Sequence, residues 1–323
     1  MTYYSEFRFE NRHNDKMHQI IRNSIIVLFF VVLLLFSPGT LPAQELEPRA
    51  LVNVPVGTNF IFFGYGYAQG NILLDPVLPI EDLESRLHSF AAAYVRALDV
   101  FGMSGKLDVI VPLAAGDWSG LLEGEAAATS RTGFGDPRFR LSVNFLGAPA
   151  LRASEFRNYT QRWIAGASVQ VIAPLGRYYP DKLINLGSNR WAIRSQVGAA
   201  NSFGPWTLEA YTGLWFFTRN PDFYGGNLLD QRPLWTAKVH FVRRFSKGIW
   251  ASADLGYGRG GRSVIEGVPR DTRISTFRFG LTLSVPLARQ HSLKLYVVSG
   301  ARVEQGADFD GIGIGYTYYW GGR

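Results

Sequence analysis

The chain has 323 residues, 47% of them hydrophobic, 14% aromatic and only 18% charged, with no cysteine and a net charge of +7. So apolar and aromatic a composition excludes a disordered chain, and the missing cysteine excludes disulfides, Cys-ligated zinc, iron–sulfur clusters and a thiol nucleophile. A mean hydropathy of zero with so few charges suits alternation of apolar and polar residues along strands.

The first feature in chain order is Ile25 to Phe36, twelve consecutive apolar residues, short of the roughly 20 a spanning helix needs. Arg22 precedes the run, Pro38 and Gly39 break it, and Leu41-Pro42-Ala43 follows. These are the parts of a secretory signal peptide, with cleavage expected after Ala43 and an uncleaved N-terminal anchor as the alternative. Residues 1–16 are polar and add nothing to such a signal, so Met17 is the expected start of translation. Residues 44–323 then form the mature domain, with 29 basic and 23 acidic residues and a net charge of +6. No later stretch is long and apolar enough for a transmembrane helix, so any membrane role falls to strands.

Period-two alternation then fills twelve segments, roughly 58–69, 87–99, 105–114, 132–146, 161–173, 189–201, 205–219, 233–246, 248–259, 272–287, 291–302 and 311–320. From Pro137, Phe139, Leu141, Val143 and Phe145 share one face, while Arg138, Arg140, Ser142 and Asn144 share the other. Trp163, Trp191, Trp206, Trp235, Tyr257, Tyr318 and Trp320 stand at the ends of apolar faces with smaller aliphatics between them. Such girdles mark a lipid-facing band, whereas a soluble barrel or a secreted sandwich would bury its apolar face. The predicted fold is therefore all-β: a transmembrane antiparallel β-barrel of about 12 strands. Connections alternate long and short, which puts both termini in the periplasm; 147–160 is long where a short turn is expected and hints at a miscounted strand. Loop 70–86, with Asp75-Pro76 and Pro79, is expected to be exposed, folding inward being the alternative.

Several runs resemble a bacterial outer-membrane family described as "putative MetA-pathway of phenol degradation". They are Pro48 to Phe60, Gly70 to Asp82, Gly116-Asp-Trp-Ser-Gly120, Gly133 to Leu141 and Leu183 to Trp191. The resemblance implies an outer-membrane β-barrel and transport of small molecules, aromatic ones among them; it carries no binding residues. The C-terminal Gly313-x-Gly315-x-x-Tyr318-x-Trp320 is similar to the signal read by the outer-membrane assembly machinery, although it ends three residues early.

If polar faces point inward, the lumen is lined by Arg96, Lys106, Arg138, Arg140, Arg162, Arg190, Arg194, Lys238, Arg244, Arg278, Lys294 and Arg302. Asp108, Glu209 and Asp254 are the acids there, and His240 joins them. Surplus positive charge in a narrow channel favours anions, and Arg binds carboxylates with two parallel hydrogen bonds, so organic anions or aromatic compounds are the expected cargo. A closed barrel that conducts nothing is the alternative. Arg243 falls on the apolar face and is expected near the periplasmic interface, where it can snorkel. No enzyme is expected: the three mature histidines, His88, His240 and His291, show no metal-ligand spacing and no G-x-S-x-G occurs. A barrel lipase would depend on His240. No metal or cofactor is implied, and dispersed basic residues argue against nucleic acid. The expected partners are outer-membrane lipid, the assembly machinery and a small solute, in the outer membrane of a Gram-negative bacterium.

Overall fold

The structure is a computed structural model that describes residues 46–72, 80–305 and 308–322. The proposed leader, and Asp75, Pro76 and Pro79, lie outside the described residues. In chain order the strands are β1 (Thr58–Asn71), β2 (Ile80–Val100), β3 (Met103–Leu122), β4 (Glu125–Phe134), β5 (Arg138–Leu146), β6 (Trp163–Ile172), β7 (Ala192–Phe203) and β8 (Trp206–Phe217). They continue as β9 (Asn220–Phe223), β10 (Asn227–Gln231), β11 (Leu234–Arg244), β12 (Trp250–Gly260), β13 (Ser263–Ile265), β14 (Val268–Pro269), β15 (Ile274–Ala288), β16 (His291–Gln305) and β17 (Asp308–Gly321).

Twelve of these pair antiparallel around a circle, in the order β1, β2, β3, β5, β6, β7, β8, β11, β12, β15, β16 and β17, and β17 returns to β1 with Thr58 opposite Gly321 and Asn71 opposite Asp308. Closure leaves the barrel without an unpaired edge, the condition for a strand-built wall in lipid. The expected strand count is correct, and the transmembrane segments are those read from alternation. The expected connections change. Residues 115–131 are strand rather than loop: β3 runs on to Leu122 and turns back as β4, with Leu113 opposite Phe134. Gly135-Asp136-Pro137 then separates β4 from β5, so β3 is paired along its far half by one and along its near half by the other. The tight turns at Phe101-Gly102 and Glu123-Gly124 have both residues at positive φ, the pairing that matches strand twist. At the same end as β4, β9, β10, β13 and β14 make a separate four-stranded sheet from the two loops that flank β11 and β12.

The alternate faces separate as the sequence requires. Phe139, Leu141 and Phe145 of β5, Trp163 of β6, Trp191 before β7, Leu208, Leu214 and Phe216 of β8, and Trp235 and Phe241 of β11 are all exposed on the outside. Inward positions on the same strands are buried and mostly polar: Gln170, Arg194, Gln196, Glu209, Thr236, Lys238 and His240. β17 faces inward with glycines, and two of them let rings in. A Cβ at Gly313 would lie 2.1 Å from Tyr296 Cζ, and one at Gly315 would lie 2.3 Å from Phe62 Cε2. These glycines are filled by neighbours' aromatic rings, so the wall thickens inward at β1, β16 and β17.

Candidate transport lumen

The lumen is occupied by the chain's own N-terminal segment. Residues 46–57 run down the inside ahead of β1, from Leu46 beside Gly280 at mid-wall to Val56 and Gly57 at the periplasmic end, and contact strands on several sides of the barrel. Lys106 of β3 donates from Nζ to the Ala50 carbonyl at 2.5 Å and to the Val52 carbonyl at 3.3 Å. Asn144 of β5 donates to the Leu51 carbonyl at 3.0 Å, and the Arg49 amide donates to Glu209 Oε2 of β8 at 2.7 Å. Leu51 sits in a cluster with Ala148, Ile164 and Tyr211, so the segment brings its own apolar anchor.

Charge decides where the segment sits. Glu47 receives both arms of the Arg140 guanidinium, and Arg140 also contacts Asp108, so one cation bridges the segment and the wall. Burial pushes the Glu47 carboxyl up, but Arg140, with more distant Lys238 and Lys294, outweighs it and holds the group well below the usual carboxylate range. Arg49 places its guanidinium 5.1 Å from the centre of the Trp250 ring, and Lys294 approaches the same ring to 5.8 Å. Burial lowers the pKa of Arg49, against the pull of Glu209.

Connection 147–162 explains its own length. Rather than a tight turn, it forms a short 3-10 turn at Glu155–Asn158 and closes over the periplasmic mouth. Pro149 accepts a hydrogen bond from Asn53 Nδ2 at 3.0 Å, and the Leu151 carbonyl accepts one from the Val56 amide at 2.9 Å. The connection is therefore a latch on the N-terminal segment, not a sign of a missing strand.

Around the segment, cations rest on rings. Arg194, 2% exposed, donates to Gln170 Oε1 at 2.6 Å and lies 4.9 Å over Trp215. Lys238 stands 5.6 Å from the Tyr211 ring centre, and Arg278 only 3.8 Å from that of Phe309. At the extracellular rim Arg190 binds Gln231 Oε1 at 2.7 Å and covers Phe217. Asp254 joins His240 Nδ1 at 2.8 Å and accepts from Ser252 and Thr282, each at 3.1 Å. His240 meets Tyr211 edge to face, and Tyr211 Oη donates to Glu209 Oε2 at 2.9 Å, so one polar chain crosses β8, β11, β12 and β15. Glu209 Oε1, Gln196 Oε1 and His240 Nε2 have no hydrogen-bond partner among the described residues.

Of the residues expected to line the lumen, Lys106, Asp108, Arg138, Arg140, Arg194, Glu209, Lys238, His240, Arg278 and Lys294 have inward parity on their strands, and Arg190 stands at the rim. The expectation fails at Arg96, which is exposed on the outer face of β2 and donates to Asn59 Oδ1 at 3.2 Å. The stretch Phe90-Ala91-Ala92-Ala93-Tyr94-Val95 is apolar on both parities, so no alternation fixed which side Arg96 takes. Arg162 has inward parity but lies one residue before β6 and is exposed at the periplasmic mouth, as is Arg244. The side chain of Arg302 lies outside the described residues.

Glu47 and Arg49 were not foreseen, nor were the inward rings of Trp118, Trp215 and Trp250. The signal for the first two is the irregular run ahead of β1, too short for a strand pair and too apolar for a solvated tail. Toward the extracellular end the lining changes character: Ala68, Leu83, Leu87, Trp118 and Phe309 face inward and pack with Ile72, Ile184, Phe223 and Leu229. Trp118 Nε1 donates to the Ile72 carbonyl at 3.0 Å, and the Ile72 amide donates to Ser85 Oγ at 3.0 Å, so the first loop starts by turning inward. Of the expected loop 70–86, Gly70, Asn71 and residues 80–86 are strand, with Glu81, Asp82, Glu84 and Arg86 exposed, and Ile72 packs inward.

An outer membrane channel from Pseudomonas putida F1 has the same architecture, with 19% identity, a TM-score of 0.72, and coverage of 85% of this chain and all of that one. Weaker likenesses include the β domain of the Bordetella autotransporter BrkA, at 13% identity, TM-score 0.45 and coverage of 83% and 100%. The Pseudomonas putida toluene transporter TodX aligns at 10% identity and TM-score 0.44, covering 88% and 94%. No curated protein matches the sequence. The closed barrel with its outward apolar band is the fold of that solved outer membrane channel, a barrel of the Gram-negative outer membrane. Residues 68–318 match the model described as "Putative MetA-pathway of phenol degradation", and the chain belongs to that family.

Proposed function

We propose that the protein is a passive channel for small aromatic compounds or organic anions, held closed by its N-terminal segment. The observation that carries this reading is the lumen's pairing of cations with rings: Arg194 on Trp215, Lys238 on Tyr211, Arg278 on Phe309. A solute with an aromatic body and a carboxylate or phenolate head can exchange with either half of such a pair, stacking on the ring or accepting from the cation. The apolar cluster at the extracellular end supplies a first station for the ring, and the basic midsection a second for the head.

A barrel filled by its own residues also suits a structural role without conduction. Planar-bilayer recordings of the refolded chain, intact and lacking residues 46–57, separate the two. The channel reading expects small or rare openings in the intact protein and large, anion-preferring steps after deletion. Silence in both proteins, with folding confirmed by heat-modifiable gel migration, would leave the structural role standing.

A further inference from the structure

We propose that the periplasmic rim around the β11–β12 turn is a binding site for an anionic phospholipid of the inner leaflet, with Arg243 as the phosphate donor. Arg243 has the outward parity of β11 and is exposed, at the end of the strand where short turns place the periplasm. Its guanidinium lies between two rings, 4.8 Å from the centre of Trp206 and 5.2 Å from that of Phe245. Trp206 in turn stacks on Phe241 with centres 4.6 Å apart, which fixes one wall of the slot. The guanidinium is thus positioned by its faces, while its N–H edges donate no hydrogen bond among the described residues.

Charge and shape both select a lipid. Residues 200–208, 241–253 and 284–293, which make the adjoining turns, contain Arg243, Arg244, Lys247 and Arg289 and no acid. The turn at Ser246–Gly248 leans on β15, where a Cβ at Gly248 would lie 3.1 Å from Pro286 Cγ, so it adjoins the turn that carries Arg289. Toward the membrane centre the same wall is apolar and open, with Leu208 45% and Phe241 42% exposed. A phosphate on Arg243 therefore has acyl chains continuing along Leu208 and Phe241, an arrangement that free phosphate cannot exploit. Arg96, elsewhere on the rim, already spends a donor on Asn59 and lacks such a slot. Basic side chains at a bilayer surface contribute about 1 kcal/mol each toward anionic lipid, about fivefold in affinity.

Native mass spectrometry of the refolded full chain from micelles holding equal phosphatidylglycerol and phosphatidylcholine tests the site. The wild type should retain phosphatidylglycerol preferentially. Arg243→Gln should lower that preference about fivefold, Arg243→Gln with Lys247→Gln further, and Arg243→Lys should restore part of it. Arg96→Gln should leave it unchanged. Equal retention of the two lipids by the wild type, or an unchanged ratio in Arg243→Gln, would overturn the proposal. Displacement of the lipid by inorganic phosphate would overturn it too, pointing to a free-anion site.

Discussion

In the proposed channel, closure turns on Glu47, because its carboxylate supplies the charge that Arg140 takes across the lumen. A carboxyl with a depressed pKa stabilises the docked state fully above its ordinary value of 4.5 and loses that contribution as pH falls through the docked one. Conductance should therefore stay level from pH 8 to 5 and rise below about pH 4. Glu47→Gln should open the channel at neutral pH and flatten the acid response; single-channel recording across pH checks both. A second residue-scale contrast lies in the glycines. Gly313→Ala drives a methyl into the Tyr296 ring and should cost about 1–3 kcal/mol. Gly124→Ala meets open space and bears only its φ of +82°, a cost of about 1–2 kcal/mol. Urea unfolding of protein refolded into vesicles measures each, and Gly313→Ala alone should also shift the fluorescence of the neighbouring wall.

Among elements, the 147–162 connection matters more than its place outside the membrane suggests. Its Pro149 and Leu151 carbonyls are the segment's periplasmic anchors, and Ala148 packs with Leu51. Replacing it with a short turn should keep the barrel folded, since β5 and β6 pair on their own register, while raising conductance and exposing residues 46–57 to added protease. Protection of the segment equal to wild type would show that the latch is dispensable. The extended β3–β4 hairpin holds Trp118 inward over the extracellular mouth. Trp118→Ala should destabilise that end by about 3–5 kcal/mol and ease entry of apolar solutes, read as faster uptake into proteoliposomes.

At the scale of the whole molecule, the barrel is a wall around two dissimilar closures, a polar one at the periplasmic end and an apolar one at the extracellular end. The polar one rests on ion pairs and backbone carbonyls that water can replace, while the apolar one rests on packing. Salt should therefore relax the first and spare the second, because screening weakens partly solvated charges and leaves packing unaffected.

The wall is legible in the sequence. Strand count, the outward girdle of Trp163, Trp191 and Trp235, and the inward parity of Arg194, Lys238, His240 and Arg278 all follow from a period of two, which is local and repeats. Where both parities are apolar, as at Phe90 to Val95, the local signal vanishes, and Arg96 was assigned to the wrong face. What fills the barrel emerges from long-range contacts. Glu47 meets Arg140 across 93 residues and Arg49 meets Glu209 across 160, contacts between chain positions that no local pattern links. A wall built from neighbours in sequence can be read in sequence; an occupant brought in from far along the chain is visible only once the barrel has closed around it.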